Sequence, residues 1–127
     1  ATTIWEHWDS YTKEKGFGGQ NAMNSFNHYS LGSVLSWLYH TGLGIQRDET
    51  KPGYQHILLK PQPGPLEFMK GSVDSPYGVI SAGWERKGDK IEYQVTIPVN
   101  TTATLFKNTD DPADTVELGS GTYTFML

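Results

Sequence analysis

Two short motifs near the start of the chain combine aromatic side chains with a group that can move a proton. The first reads Thr-Ile-Trp-Glu-His-Trp-Asp and sets the carboxylate of Glu6 between the indoles of Trp5 and Trp8. The second reads Ser-Phe-Asn-His-Tyr and sets the imidazole of His28 between two aromatic rings. Aromatic walls with a few polar groups suit a sugar, because a pyranose has an apolar face and a rim of hydroxyls. A carboxylate among such walls is also what a glycosidase requires.

Both polar residues also have a simpler interpretation. Glutamate is mostly exposed in proteins, so Glu6 read alone is a solvated surface residue. His28, at the head of an apolar run, reads alone as a structural histidine. Glu6 has only five residues before it. We therefore expect the rest of any catalytic pocket around it to come from elsewhere.

Composition limits the classes of partner. The chain has 127 residues, enough for one domain or slightly more with a real core. Its net charge of -4 argues against nucleic acid as a partner, and no polybasic segment indicates a membrane surface. No apolar run approaches the roughly 20 residues of a membrane-spanning helix. Cysteine is absent, which excludes a disulfide framework and a thiolate metal site.

The chain changes character near residue 45. Residues 13–24 contain three glycines and no periodicity, which indicates a loop. Apolar residues then recur at spacings of three and four, which predicts a helix over residues 25–41. Asn24 or Ser25 is the expected N-cap, and Gly42 and Gly44 are the expected C-terminal caps.

After Gly44 the pattern becomes short apolar runs separated by turn signals. Alternating apolar and polar residues are typical of half-buried strands, and regular spacing favours an antiparallel β-sandwich. Trp84 and Tyr93 are expected in its core. The predicted strands cover residues 55–60, 66–73, 77–86, 91–97, 102–106 and 122–127.

Several motifs together resemble the C-terminal end of bacterial α-L-rhamnosidases. The resemblance implies an α+β fragment in which residues 1–45 end a helical (α/α)6-barrel catalytic domain and residues 46–127 form the C-terminal antiparallel β-sandwich. Most of the barrel would then lie upstream. The matching motifs are Trp-Glu-His-Trp-Asp at 5–9, Met-Asn-Ser-Phe-Asn-His-Tyr at 23–29, Gly-Ser-Val at 32–34, Trp-Leu-Tyr at 37–39, Gly-Tyr at 53–54 and Pro-Gln-Pro-Gly at 61–64.

The same resemblance implies a function. Such enzymes hydrolyse terminal α-L-rhamnosides with inversion, without a metal or cofactor. The family's Trp-Glu-x-Trp glutamate, the general base, corresponds to Glu6, and its Asn-His-Tyr histidine, in the sugar pocket, corresponds to His28. Trp5 or Trp8 would stack on a sugar ring or form the pocket wall. The general acid belongs to an upstream motif that has no counterpart here. The family often has Arg where this chain has His7, which puts any charge-assisted contact from that position in doubt.

These expectations define the partners and one alternative. The expected partners are a rhamnose-containing glycoside or polysaccharide and the missing upstream catalytic domain, with neither nucleic acid nor membrane. The chain alone is expected to be inactive. Phe26, Tyr29, Trp37 and Leu38 should form an apolar helix face that has no partner in this chain. The chain could form oligomers through this face. The alternative is a non-catalytic carbohydrate-binding or structural β-sandwich with a helical extension. His40 and His56 are expected to be structural.

Overall fold

A computed structural model describes residues 2–17, 24–108 and 110–127. The chain divides into two compact units, Ala1–Ser36 and Trp37–Leu127, which are described separately. In the described ranges no helix combines the length and hydropathy that crossing a membrane requires.

The first unit contains a short hairpin where the sequence predicted only loop. Strand β1 (Tyr11–Thr12) pairs antiparallel with β2 (Gly16–Phe17). Gly16 has a φ of 66°, a conformation that glycine adopts without steric cost. The Lys15 amide donates to the Thr12 hydroxyl across the turn at 3.1 Å. The loop prediction over 13–24 was therefore wrong at residues 16–17, and its residues 18–23 lie outside the described part.

The predicted single helix over 25–41 was wrong in its start and its continuity. Helical structure consists of α1 (Tyr29–Gly32), α2 (Val34–Trp37) and a π-helical turn (Leu38–Gly42). His28 occupies the N-cap position in an extended conformation, without a side-chain cap, so neither Asn24 nor Ser25 caps the helix.

The late start of the helix has a local cause. The backbone of residues 25–28 pairs with the N-terminal segment: the Ser25 carbonyl accepts from the Glu6 amide at 2.8 Å, and the His28 amide donates to the Ile4 carbonyl at 2.7 Å. Backbone groups committed in this way do not enter a helical ladder. At the break after Gly32, the Ser33 hydroxyl donates to the Ser30 carbonyl, a local bond that competes with helical bonding.

Gly44 ends the helical region. It adopts a φ of 75°, and a Cβ there would come within 2.3 Å of the Lys60 carbonyl carbon. Only glycine fits this combination of left-handed backbone and close approach. The Gly44 carbonyl then accepts from the Lys60 amide at 2.9 Å. Gly42, the other predicted cap, lies inside the π-helical turn.

The second unit is a β-sandwich of two four-stranded sheets. One has the order β10-β7-β6-β5 and the other the order β3-β4-β8-β9. The predicted strands correspond to β4 to β8 and β10, whereas β3 and β9 were missed. The strands are β3 (Ile45–Arg47), β4 (His56–Leu59), β5 (Phe68–Ser75), β6 (Gly78–Lys87), β7 (Lys90–Ile97), β8 (Thr102–Phe106), β9 (Thr115–Leu118) and β10 (Gly121–Met126).

One pair of neighbouring strands corrects the prediction of purely antiparallel pairing. Strands β4 and β8 run parallel, with His56 opposite Thr102. A parallel pair needs a crossover connection. Here the chain leaves the first sheet after β4, forms β5, β6 and β7 of the second sheet, and returns as β8. The connection between the parallel neighbours is therefore most of the other sheet.

The inward faces of both sheets form one hydrophobic core. Alternate residues along β6 and β7 are buried, and these include Trp84 and Tyr93, as predicted. Both sheets contribute to the cluster, which buries Leu43, Ile45, Ile57, Leu59, Ile80, Ala82, Trp84, Ile91, Tyr93, Val95, Ile97, Ala103, Leu105 and Leu118.

The two large aromatic residues of this core bond the end of the helical region. Trp84 Nε1 donates to the Gly42 carbonyl at 2.9 Å, and the Tyr93 hydroxyl donates to the Leu43 carbonyl at 3.2 Å. Gly71 leaves space for the Leu43 side chain, because a Cβ at position 71 would lie 2.5 Å from Leu43 Cδ1. These bonds satisfy two carbonyls that the helix leaves unpaired at its C-terminal end.

His56 is buried and connects strands within its sheet. Its Nδ1 lies 2.6 Å from the Thr102 hydroxyl and its Nε2 2.9 Å from the Thr104 hydroxyl. Thr104 donates its proton to the Glu117 carboxylate, which only accepts, so the Thr104 oxygen accepts from His56 Nε2–H. This network gives His56 the structural role predicted for it.

Replacing Tyr93 with Phe tests the bond to the helix end. The substitution keeps the buried ring and leaves the Leu43 carbonyl without its donor, which costs about 1–3 kcal/mol. We expect a lower free energy of unfolding by that amount in urea or thermal denaturation. Tyr123→Phe is the matched control, since Tyr123 is only partly buried in the same sheet. Equal effects of both substitutions would contradict the role of the Tyr93 bond.

The effect of Tyr93→Phe should shrink at alkaline pH. Burial raises the pKa of the Tyr93 hydroxyl above its usual value of 10.0. The unfolded chain ionises near pH 10, whereas the folded chain keeps its proton, so wild-type stability falls as pH rises above about 10. The Phe variant has no such proton. The difference in free energy of unfolding between wild type and Tyr93→Phe should therefore be smaller above pH 10 than at pH 7, as measured by denaturation at both pH values.

Candidate active site

Glu6 and His28, far apart in sequence, lie together in the first unit. The segment before Ser10 runs beside residues 24–28, joined by backbone bonds from Glu6 to Ser25 and from His28 to Ile4. At the far end the Ser10 hydroxyl lies 2.9 Å from Asn24 Oδ1. The two sequence motifs are thus aligned by backbone pairing rather than by a helix.

A backbone donor fixes the orientation of the Glu6 carboxylate. Glu6 Oε2 accepts from the Ser25 amide at 2.9 Å. His28 Nδ1 lies 3.8 Å from the same oxygen, close enough for an ion pair when the imidazole is protonated. The Glu6 and His28 side chains are 32% and 31% exposed, so water reaches both. This arrangement presents an oriented, accessible carboxylate beside an imidazole.

The aromatic residues of the site divide into a packed group and an exposed ring. Trp5 makes an edge contact with Phe26 at a centroid distance of 5.2 Å, and Phe26 makes another with Phe17 at 5.6 Å. Phe17 in turn contacts Tyr11 from the hairpin. Trp8 is fully exposed. The structure therefore places Trp5 in an aromatic cluster and Trp8 in solvent.

Sequence reasoning missed two parts of this arrangement. It treated Ser25 as a helix cap, whereas its amide holds the Glu6 carboxylate. It also missed the hairpin that brings Phe17 to Phe26. The available signal was Gly16 after a short polar stretch, since a glycine at the end of a short turn often marks a hairpin.

The other three histidines differ in burial. His7 and His40 are exposed, and His56 is buried in the second unit. Within the described ranges, no group of three or more His, Cys, Asp or Glu side chains is arranged to hold a metal ion.

Family comparisons match both parts of the chain. Residues 1–41 match the 6-hairpin glycosidase domain of bacterial α-L-rhamnosidases, which is a glycoside hydrolase domain. Residues 44–121 match the C-terminal domain of the same enzymes. The chain belongs to the bacterial α-L-rhamnosidase family.

Comparison with individual proteins gives the same family. The chain is 39% identical over 112 residues to an α-L-rhamnosidase of Formosa agariphila, a match covering 87% of this chain and 12% of the relative. The crystal structure of Streptomyces avermitilis α-L-rhamnosidase complexed with L-rhamnose is similar, with a TM-score of 0.77, 30% identity, and coverage of 98% of this chain and 14% of that one. The native Aspergillus terreus α-L-rhamnosidase gives a TM-score of 0.79 at 32% identity, covering 98% and 14%. The chain thus spans about an eighth of the length of these proteins.

The Glu6 contact predicts a local effect on backbone protection. Glu6→Ala removes the acceptor of the Ser25 amide, whereas Glu6→Gln keeps an oxygen at that position. We expect faster hydrogen exchange at the Ser25 amide in Glu6→Ala and near wild-type exchange in Glu6→Gln, measured by NMR. Glu14→Ala, an exposed glutamate in the hairpin turn, serves as control. Unchanged Ser25 exchange in Glu6→Ala would contradict the contact.

Proposed function

We propose that this chain is the C-terminal part of a glycoside hydrolase that cleaves terminal α-L-rhamnosides with inversion, and that Glu6 is its general base. The observation that carries the proposal is the Glu6 carboxylate, oriented by the Ser25 amide and accessible beside His28. It belongs to the segment that matches a 6-hairpin glycosidase domain.

The geometry suits proton removal from water. The Ser25 amide occupies Glu6 Oε2, and in the described structure no hydrogen bond reaches the other carboxylate oxygen, Oε1. That oxygen is the one that accepts the proton of the attacking water. A fixed carboxylate avoids reorientation during the reaction, which is the advantage of a positioned base.

His28 and the two tryptophans supply sugar contacts in this proposal. His28 Nδ1 faces Glu6, which leaves Nε2 to bond a sugar hydroxyl. The exposed Trp8 ring stacks on the apolar face of a sugar, while Trp5, packed on Phe26, forms the wall behind it. A rhamnose-containing glycoside or polysaccharide is accordingly the proposed substrate. The Streptomyces avermitilis relative was solved with L-rhamnose, which supports this choice.

The acid partner is proposed to lie outside this chain. In an inverting glycosidase, the acid and the base are roughly 6.5–9.5 Å apart on opposite faces of the sugar. We assign residues 1–45 to the end of the helical catalytic domain and residues 46–127 to the sandwich domain. The family matches over 1–41 and 44–121 support a boundary in this region. The upstream domain then supplies the acid and most of the pocket.

Removing the base should abolish most turnover in the complete enzyme. Glu6→Gln keeps the size and the Ser25 contact but cannot take the proton of water, so we expect kcat on an aryl rhamnoside to fall about 10²–10⁴-fold. The 127-residue chain alone should show no activity, because it lacks the acid and the substrate-positioning residues.

Azide provides the specific control for that loss. This small anion replaces deprotonated water, so it should restore turnover in Glu6→Gln and yield the β-glycosyl azide. The matched variant Glu14→Gln should retain wild-type kcat. Near-normal kcat in Glu6→Gln, or clear rhamnosidase activity of residues 1–127 freed of host enzymes, would refute the proposal.

Exposed apolar side chains of the first unit should pack against the upstream domain in the complete enzyme. Tyr29 is 86% exposed, and Leu31, Val34 and Leu35 are also exposed. Monomers rarely leave large apolar patches open. Of the four residues predicted for the open helix face, Tyr29 and Trp37 are exposed, whereas Phe26 and Leu38 are half-buried.

We therefore expect the 127-residue chain to self-associate in sedimentation velocity. The variant Tyr29→Ser/Leu35→Ser should shift the distribution toward monomer, because it removes apolar area from that surface. The exposed pair Val99→Ser/Phe68→Ser, in the sandwich, is the control for general solubility. A wild-type chain that stays monomeric at high concentration would contradict this expectation.

A further inference from the structure

The outer face of the β10-β7-β6-β5 sheet contains an open groove of about 470 Å³. It lies over strands β5, β6 and β7, on the side of the sheet away from the hydrophobic core. Small and polar side chains form its lining, among them Lys70, Ser72, Ser81, Gly83, Glu92 and Gln94.

Gly83 lies in the middle of this face. Register places it between Lys70 on β5 and Gln94 on β7. Glycine inside a strand weakens it and often marks a site where another group approaches closely. A Cβ at Gly83 would come within 3.0 Å of Lys70 Cγ, so the missing side chain lets the Lys70 stem lie across β6. The groove thus has a backbone floor and a lysine along one wall.

Several polar groups in the groove have no protein partner in the described structure. Glu85 is paired with Lys87 at 3.1 Å, and the Thr96 hydroxyl is bonded to Thr122. By contrast, within residues 2–17, 24–108 and 110–127, no hydrogen bond or ion pair reaches the side chains of Lys70, Gln94 or Ser81. Ser81 is half-buried in this position. Hydrogen-bond donors and acceptors in the groove therefore remain available to a ligand.

An exposed aromatic ring lies at one end of the groove. Phe68 alternates with inward-facing residues of β5, so it is on the same outer face, and register places it opposite Glu85. It is 66% exposed. An aromatic face next to convergent hydroxyl, amide and carboxylate groups matches a sugar, which has an apolar face and a polar rim.

We propose that this groove is a non-catalytic binding site for a short, neutral oligosaccharide. Phe68 contacts an apolar sugar face, while Gln94, Lys70 and Ser81 bond hydroxyls along the floor. Nucleic acid does not fit, because Glu85 and Glu92 lie side by side on the face. A protein partner fits less well, because Lys70, Glu85 and Glu92 line the groove and interface cores are depleted in charged residues.

The choice of sugar rests on the proposed function: the site would hold another part of the rhamnose-bearing glycan that the enzyme cleaves. The probe is neohesperidose, a neutral rhamnosyl-glucose disaccharide, titrated into the ¹⁵N-labelled 127-residue chain and followed by NMR. We expect saturable shifts at amides of β5, β6 and β7, with a Kd on the order of 1 mM.

Two variants test the assigned contacts. Gln94→Ala removes a neutral hydrogen-bonding group and should weaken binding about 2- to 12-fold. Ser72→Trp fills the groove from the edge strand and should abolish the shifts, with dispersed spectra showing that the sheet still folds. Gln62→Ala is the matched control, because Gln62 is an exposed glutamine outside the groove, and it should bind like wild type.

The outcomes separate this inference from the proposed catalytic role. Absence of shifts in β5, β6 and β7 at about 10 mM disaccharide, or shifts unaffected by Ser72→Trp, would overturn the groove. Shifts confined to residues 2–36 would overturn it as well. Turnover of an aryl rhamnoside by the complete enzyme should be unchanged in Gln94→Ala, so loss of turnover in Glu6→Gln remains an independent result.

Discussion

Two buried hydrogen bonds fix the start of the sandwich to its own core. Trp84 and Tyr93, on adjacent strands of one sheet, donate to the successive carbonyls of Gly42 and Leu43. Without them, two carbonyls at a helix end would be buried without partners, at a cost comparable to a lost hydrogen bond each. Gly44 then turns the chain into β3, where Ile45 enters the same core. The helix end is therefore part of the sandwich.

A different constraint shapes the first unit. The backbone groups of residues 25–28 pair with residues 4–6, which orients the Glu6 carboxylate but prevents the helix from starting at Ser25. Local sequence favours a cap there, and tertiary pairing overrides it. Disagreement between local propensity and observed structure is expected at functional sites, because a site needs particular geometry rather than the best local conformation. Here the disagreement falls on the residues that contact Glu6.

The sequence predicted the long features and missed the short or nonlocal ones. Alternation in β7 and the apolar runs of β6 and β8 identify strands directly, and Trp84 and Tyr93 were recognisable as core. Strand β3 has three residues, too few to show a period, and β9 follows a turn rich in Asp. The parallel pairing of β4 with β8 depends on which sheet each strand joins, which periodicity does not encode. Motifs singled out Glu6 and His28 as candidate site residues, whereas the contact from the Ser25 amide could not be predicted because a backbone group leaves no trace in residue type.

The packing of the core also determines which residues line the outer groove. Side chains alternate between the two faces of a strand, so a shift of one residue would exchange the faces completely. Trp84 and Tyr93 must point inward to reach Gly42 and Leu43. Their neighbours Gly83 and Gln94, which are paired in register, must then point outward. The groove is consequently not free to vary in position: as long as the two aromatic donors bond the helix end, the glycine and the amide remain side by side at its centre.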